Sequence, residues 1–412
     1  MQQTQKSLVI CYISGLDIRR INPTTTKFLA EQFDQSAWRS YVNLPSNELF
    51  PTLVTGVDPT VHGVWGVQIT EDLPEALAPR LCDRVPDSLT TAIQCALHFV
   101  TGNYDLAAIP PRRRRRFKIT RTKYKRRNKH AEALYEIGSI PTVLGIVGSD
   151  KAQYLFTSDE DPTKTVMKSL CCENKLLEIL ELYSLDRYQQ WNLHDEHRVD
   201  QAYKKVDRFL ELLMVKCERL GKALMIVSDH GHQAISRSFD LRDYFDPLNL
   251  SENDYTQFVE VSSARFWFHS DHARKKIHAA LQEIQGAELV PFDQMSQYGI
   301  PLKDSAFGEL FCFLPPSSIF FPHDFYQPLA NLYFGLTDRM QRGRLTDPRH
   351  RGNHGHLPHH DVEESFVLVQ GSDFRSRDDD PASILDIAPS ILSLLDQPIP
   401  EFMSGRPLFA RV

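Results

Sequence analysis

The sequence predicts an α/β fold built on a mostly parallel sheet, and three stretches predict it. Ala223-Leu224-Met225-Ile226-Val227 is a continuous apolar run that ends abruptly in Ser228-Asp229-His230-Gly231. A short apolar run bounded by polar and glycine residues reads as a strand buried on both faces of a parallel sheet. Leu8 to Ile13 has the same character and exits into Ser14-Gly15-Leu16-Asp17. Between them, Val199 to Cys217 spaces Tyr203, Val206, Phe209, Leu210 and Leu213 along one helical face and feeds the run at Ala223. Ligands of open α/β sheets bind beyond the carboxyl ends of the strands. Asp229 and His230 therefore stand where an active site is expected. A carboxylate beside an imidazole suits a divalent metal, and the alternative is a plain capping or solvent-facing pair.

The remaining elements follow in order. Asn22 precedes a helical pattern from Pro23 to Phe33, and Trp38 to Val42 reads as a short strand. In Leu44-Pro45-Ser46-Asn47-Glu48-Leu49-Phe50-Pro51, Ser46 can cap a helix that closes at Gly56. A hydroxyl at a helix N-terminus sits in a positive field that favours an attacking alkoxide and a phosphate; an ordinary N-cap serine is the other reading. His62, beside Gly63, and His356, beside Gly355, read as turn residues. Residues from about 70 to 135 are irregular, Pro-rich and then basic, an insertion at the rim of the sheet. Ser139 to Val147 has a strand-like pattern, and Pro162 to Leu182 a helical one. Gln257 to Val261 and Ala264 to Phe268 read as paired strands, His272 to Ile284 as a helix and Glu309 to Leu314 as a strand. A second irregular, aromatic-rich insertion covers about 290 to 345. Phe366 to Val369 is a further strand, and Asp386 caps a last helix that tolerates Pro389 in its first turn.

Composition narrows the class. With 412 residues, 42% hydrophobic and 24% charged, the chain suits a globular protein with a large core, and we read 1–412 as one domain. No apolar run approaches the ~20 residues of a membrane span. Leu8 to Ile13 is too short for a signal-peptide core, and the 7 cysteines have no zinc-like spacing. Both features predict a cytoplasmic location with reduced thiols. Arg112 to His130 holds 12 Lys or Arg and no acid; the net charge is −6, so the rest of the chain carries −18. That pattern is a local basic patch on an acidic protein and argues against a generally basic nucleic-acid binder.

The order of motifs resembles one family. A first strand exits at Gly15-Leu16-Asp17. Ser46 stands ahead of Phe50-Pro51-Thr52-Leu53-Val54-Thr55-Gly56, and Pro59-Thr60-Val61-His62-Gly63 follows. Later come Ser228-Asp229-His230-Gly231, then Asn353-His354-Gly355-His356. The chain closes on Asp386-Ile387-Ala388-Pro389-Ser390 and Met403-Ser404-Gly405-Arg406-Pro407-Leu408. Together these resemble the nucleotide pyrophosphatase/type I phosphodiesterase branch of the alkaline phosphatase superfamily, from Leu8 to Leu408. The resemblance implies an alkaline-phosphatase-like three-layer α/β sandwich, a mostly parallel central sheet with helices on both faces and an irregular inserted cap. It implies a hydrolase of phosphodiester or pyrophosphate bonds that uses two divalent metals, usually zinc, and a covalent phospho-serine intermediate. By position, Ser46 is the nucleophile, Asp229 and His230 bind one metal, and Asp186 and His354 bind the other.

Three positions depart from the pattern. Ser14 replaces the first-strand Asp, with Asp17 the substitute three residues on. Gln190 replaces the His that accompanies Asp186; an amide is a poor zinc ligand and a better one for Mg²⁺ or Mn²⁺. Val67 replaces an Asn that helps hold the phosphoryl oxygen. These departures motivate one alternative, a degenerate, non-catalytic member that binds a phosphorylated ligand; the motif order itself also admits a related phosphoryl transferase. The basic run has a solvated-loop reading and two functional ones. Arg112, Arg113, Arg114, Arg115 and Arg116 can steer a phosphorylated small-molecule substrate, and residues 112–130 can contact nucleic acid or an anionic membrane surface. Neither the oligomeric state nor the particular substrate is legible in the sequence.

Overall fold

The computed structural model describes residues 7–45, 48–65, 68–70, 86–101, 117–119, 134–251, 253–371, 373–377 and 380–411. A seven-stranded sheet organises them, in the order Ala382–Ser383, Ala37–Val42, Ser365–Val369, Ala223–Ser228, Leu8–Ile13, Leu177–Leu182, Ala152–Thr157. Only Ser365–Val369 opposes its two neighbours; the other six strands run one way. Leu8–Ile13 lies between Leu177–Leu182 and Ala223–Ser228, with Ile13 level with both Leu182 and Ser228. The three exits that follow Ile13, Leu182 and Ser228 thus emerge side by side.

The apolar runs are continuous because both faces of the sheet are covered. Leu8, Ile10 and Tyr12 join Met225 and Val227 in one core, with the helices Leu49–Thr55, Val143–Val147 and Ile387–Leu394. Val9, Cys11 and Ile13 join Leu224 and Ile226 in the other, with Lys27–Gln35 and the long helix Glu196–Arg219. Alternate residues of a strand point to opposite faces, so Leu8 to Ile13 and Ala223 to Val227 are apolar or aromatic throughout. Asp195 caps the long helix by accepting from the Arg198 amide. At Gly56, which closes Leu49–Thr55 at φ +67°, a Cβ would lie 3.1 Å from Ala388 and from Met403. The segment that follows Ser46 is thereby locked onto the C-terminal helix.

Three local expectations change. Ser139 to Val147 holds a helix, Val143–Val147, because the Thr142 hydroxyl accepts from the Gly145 amide and starts a turn. Pro162 to Leu182 divides into a short helix, Pro162–Thr165, and the strand Leu177–Leu182. Glu178 and Glu181 disguise that strand: both are buried, Glu178 against Lys222 at 2.7 Å and Glu181 against the Tyr154 hydroxyl. Asp386 makes no cap contact with the last helix; its carboxylate accepts from the Ser383 amide at 2.8 Å and the Arg406 amide at 2.7 Å, tying the C-terminal motif together.

A second, four-stranded antiparallel sheet has the order Tyr255–Val259, Ser263–Phe268, Leu310–Phe313, Glu288–Pro291. The segment read as an irregular insertion from about 290 therefore begins inside a regular sheet. Of the 70–135 insertion, the described parts are a strand pair, Gln68–Thr70 with Phe117–Ile119, the helix Asp87–Thr101 with Pro86 before it, and Leu134 and Tyr135. No helix among the described residues is long and apolar enough to cross a membrane.

Candidate active site

Four backbone segments meet beyond one end of the central sheet. Tyr12 and Ile13 end the first strand and Ser14 and Gly15 follow it, Asp186 stands one turn beyond Leu182, Asp229 to His232 follow Ser228, and His354 precedes the antiparallel strand Ser365–Val369. Gly15 makes the meeting feasible. It has φ +79°, and a Cβ there would lie 2.8 Å from the Asp186 Cα and 3.0 Å from the His232 ring.

Asp229 is buried and held by three donors. Its Oδ2 accepts from the Tyr12 hydroxyl at 2.7 Å and the Ser14 hydroxyl at 2.9 Å, and its Oδ1 from the Gly15 amide at 2.8 Å. Ser14, which stands where the resemblance expects an acid, thus binds the neighbouring acid. The His230 Nδ1–H donates to the Gly231 carbonyl at 3.0 Å, and Nε2 lies 3.3 Å from Asp229 Oδ2. The His230 ring stacks on His354, centroids 3.6 Å apart.

Asp186 forms the second focus. Its Oδ2 accepts from the Gln190 amide at 2.8 Å. Its Oδ1 lies 3.1 Å from His232 Nε2 and 3.4 Å from His354 Nε2. Asp186 Oδ1 and both ring nitrogens of His232 are buried with no hydrogen-bond partner. Burial alone would raise the Asp186 pKa, but His232 against it, with His354 and His230 beyond, holds it well below the usual carboxylate range. Burial and the neighbouring His230 push His354 well below an ordinary histidine, so its imidazole is neutral. His230 moves up: burial lowers it, and Asp229 and Asp186 more than compensate. Among the described residues this is one of two groups of three side chains placed to hold a metal ion, and its ligand atoms all lie within 4.8 Å of one another. A buried carboxylate with two imidazoles is a donor set suited to zinc and its neighbours, and the orphaned atoms are what a cation would satisfy.

Two expected ligands are used otherwise. The Asp17 carboxylate belongs to Arg19, two residues on in the turn Ile18–Arg20, at 2.9 Å to Nε and 2.7 Å to the terminal nitrogen. It packs against Gly231 and stands outside both three-residue groups. Gln190 donates to Asp186 and orients it, and is likewise outside the groups. The residue that the sequence reading missed is His232. Its signal was the repeated imidazole of His230-Gly231-His232 at a strand exit. Ser46, Val67 and Arg112 to Arg116 lie outside the described residues. Asn43, three residues before Ser46, donates to the Asp229 and Glu363 carbonyls and to the Ser365 hydroxyl. The chain that leads to Ser46 is thus tied to the Asp229 corner.

The profile of the type I phosphodiesterase / nucleotide pyrophosphatase family matches residues 90–307, more than half of the chain. The chain belongs to this family. It is a phosphodiesterase-like hydrolase of the alkaline phosphatase superfamily. The matched span contains Asp186, Asp229, His230 and His232, while Ser46 and His354 lie outside it. Members of the family generally use two divalent metal ions. No curated protein matches the chain. Solved structures show the same fold. Human ectonucleotide pyrophosphatase/phosphodiesterase 5 superposes with TM-score 0.64 at 13% identity, covering 96% of each chain. The murine protein of that name gives 0.60 at 14% identity and the same coverage. An inactive murine variant in complex with AMP gives 0.60 at 13%, again over 96% of each chain.

Proposed function

We propose that this family member is a metal-dependent phosphodiesterase or nucleotide pyrophosphatase whose cation-holding set includes His232. Asp186, His232 and His354 would hold one divalent ion. Asp229 and His230, with the Ser46 hydroxyl, would hold the second. An ionised carboxylate offers about four lone-pair sites, and the bonds to Tyr12, Ser14 and Gly15 use three of those on Asp229, so this second half depends more heavily on His230 and Ser46. Bound cations supply Lewis-acid stabilisation of negative charge on the attacking and leaving oxygens.

The chain's own residues do the rest. Ser46 is the candidate nucleophile: its oxygen forms a bond to phosphorus as the bond to the leaving alcohol or phosphate breaks, and water then cleaves the phospho-serine ester. Asn43 positions the segment by its hold on the Asp229 carbonyl. Gln190 keeps the Asp186 carboxylate turned so that Oδ1 faces the two imidazoles. Tyr12 and Ser14 keep the Asp229 carboxylate oriented. The AMP complex of the murine neighbour supports a nucleotide as the phosphorylated substrate. Zinc is the ion best suited to the Asp186 half.

The observation that carries this reading is the convergence of Asp186, His232 and His354, with Asp186 Oδ1 and the facing His232 nitrogen both buried and orphaned. The test is hydrolysis of bis-p-nitrophenyl phosphate and of a nucleoside diphosphate, beside metal analysis of the purified protein. Ser46→Ala should abolish turnover and leave the metal content intact. His232→Gln should lower both. Full metal content in His232→Gln, or turnover in Ser46→Ala at the parental rate, would refute the assignment of that residue.

A further inference from the structure

Glu288, His359 and His360 converge away from the site just described. His359 Nε2 lies 3.2 Å, and His360 Nε2 3.4 Å, from one and the same oxygen, Glu288 Oε1. The ligand atoms all lie within 4.8 Å of one another, and the two rings are 4.2 Å apart between centroids. The three residues come from different parts of the fold. Glu288 opens the edge strand of the four-stranded sheet. His359 and His360 occupy a turn in which the His360 amide donates to the Leu357 carbonyl, just downstream of His354 and His356. His356 lies beside them with its ring 6.1 Å from that of His360, and its Nε2 is buried without a partner.

A carboxylate oxygen can bridge one imidazolium well. Two imidazolium rings at 4.2 Å would repel, and two neutral rings would waste one lone pair each. One cation shared by the three groups satisfies all of them. Two nitrogens and one oxygen suit zinc, nickel or copper and are a poor set for magnesium or calcium, which prefer oxygen. His359 is about half exposed, and both histidines border a cavity of about 360 Å³ with Arg39, Asp361 and Glu364, so an ion can enter and keep water in its open positions.

We propose that Glu288, His359 and His360 form a peripheral transition-metal site that staples the loop carrying His354 to the edge of the second sheet. The site is independent of the catalytic assignment, since it shares no residue with Asp186, His232 and His354. The staple joins the loop that leads into Ser365–Val369 of the central sheet to the edge strand of the second sheet, and no backbone hydrogen-bond ladder joins those two sheets among the described strands.

The test is titration of Zn²⁺ into metal-stripped full-length protein against a chromophoric chelator. It compares the parent, His359→Gln/His360→Gln, Glu288→Gln and Asp186→Asn. The double variant should lose one equivalent that Asp186→Asn retains. Glu288→Gln should weaken that equivalent by at least the ~10–100-fold typical of losing even an outer-shell partner. Hydrogen exchange over residues 354–364 should slow with Zn²⁺ in Asp186→Asn and not in the double variant. Unchanged stoichiometry and affinity in both the double variant and Glu288→Gln would overturn the site. Exchange that ignores Zn²⁺ in Asp186→Asn would overturn the staple. A loss confined to Asp186→Asn would overturn this proposal and leave the catalytic one standing.

Discussion

Ser14→Asp restores the acid that the family resemblance expects, and its effect should reverse sign with metal. The Ser14 hydroxyl lies 2.9 Å from Asp229 Oδ2 inside the protein. A second carboxylate there meets the first at about 3 Å, a repulsion of ~5 kcal/mol at an effective dielectric constant of ~20. Protonating one of the pair at pH 7 is cheaper, about 4 kcal/mol for roughly three pH units at ~1.36 each, and it restores a hydroxyl donor to Asp229. The metal-free variant should therefore be destabilised by about 4 kcal/mol at pH 7, and by only ~1–1.5 kcal/mol at pH 5, where protonation costs less. At the ~2 °C per kcal/mol suited to a large domain, the first figure is a fall of roughly 8 °C in Tm. A divalent cation between the two carboxylates replaces the repulsion with attraction, so saturating Zn²⁺ or Mn²⁺ should raise Tm in the variant by more than in the parent. Calorimetry with EDTA and with each metal, at pH 5 and 7, decides it. An equal fall with and without metal would show that no cation binds the Asp229 corner. No fall in EDTA would show that Ser14 does not face Asp229.

Gln190→His introduces an imidazole beside Asp186 in place of the amide donated to Oδ2, and it should restore metal content when combined with His232→Gln; metal analysis of the double variant checks the exchange. Lys222→Met strands Glu178, which is fully buried and keeps only the Gln153 amide and the Cys172 backbone, and should cost ~3–5 kcal/mol in urea unfolding. Burial, and then Arg344, lower the His323 pKa from 6.5 to about 3, so the unfolded chain binds this proton first and stability falls as pH drops through that window. His323→Gln should accordingly flatten the acid limb of the stability curve, by at most about 3 kcal/mol at pH 4.

Much of the architecture was legible because burial on both faces leaves a plain mark. Leu8–Ile13 and Ala223–Ser228 are apolar but for the hydroxyls of Tyr12 and Ser228, and their boundaries were readable to within a residue. Leu177–Leu182 was misread because its two glutamates find partners, Lys222 and Tyr154, that lie far away in the chain. The same limit applied to the site. Asp186, Asp229, His230 and His354 were proposed through the family resemblance, and the structure gathers them beyond the strand ends. Asp17 stood in the expected neighbourhood, but a guanidinium two residues away engages both of its oxygens.

The sequence by itself determined the class of sheet, the strand exits at Ser14 and Asp229, and the set of carboxylates and imidazoles available for chemistry. These follow from local rules: apolar runs where water is excluded, and polar exits where the chain leaves the core. Only the tertiary structure decided which of these side chains meet. Coordination depends on lone pairs arriving at one point, and that placement is set by the register of Leu8–Ile13 between its neighbours and by the close approach at Gly15. No spacing along the chain encodes how His232 meets Asp186, because the contact exists only after Leu177–Leu182 and Ala223–Ser228 flank Leu8–Ile13.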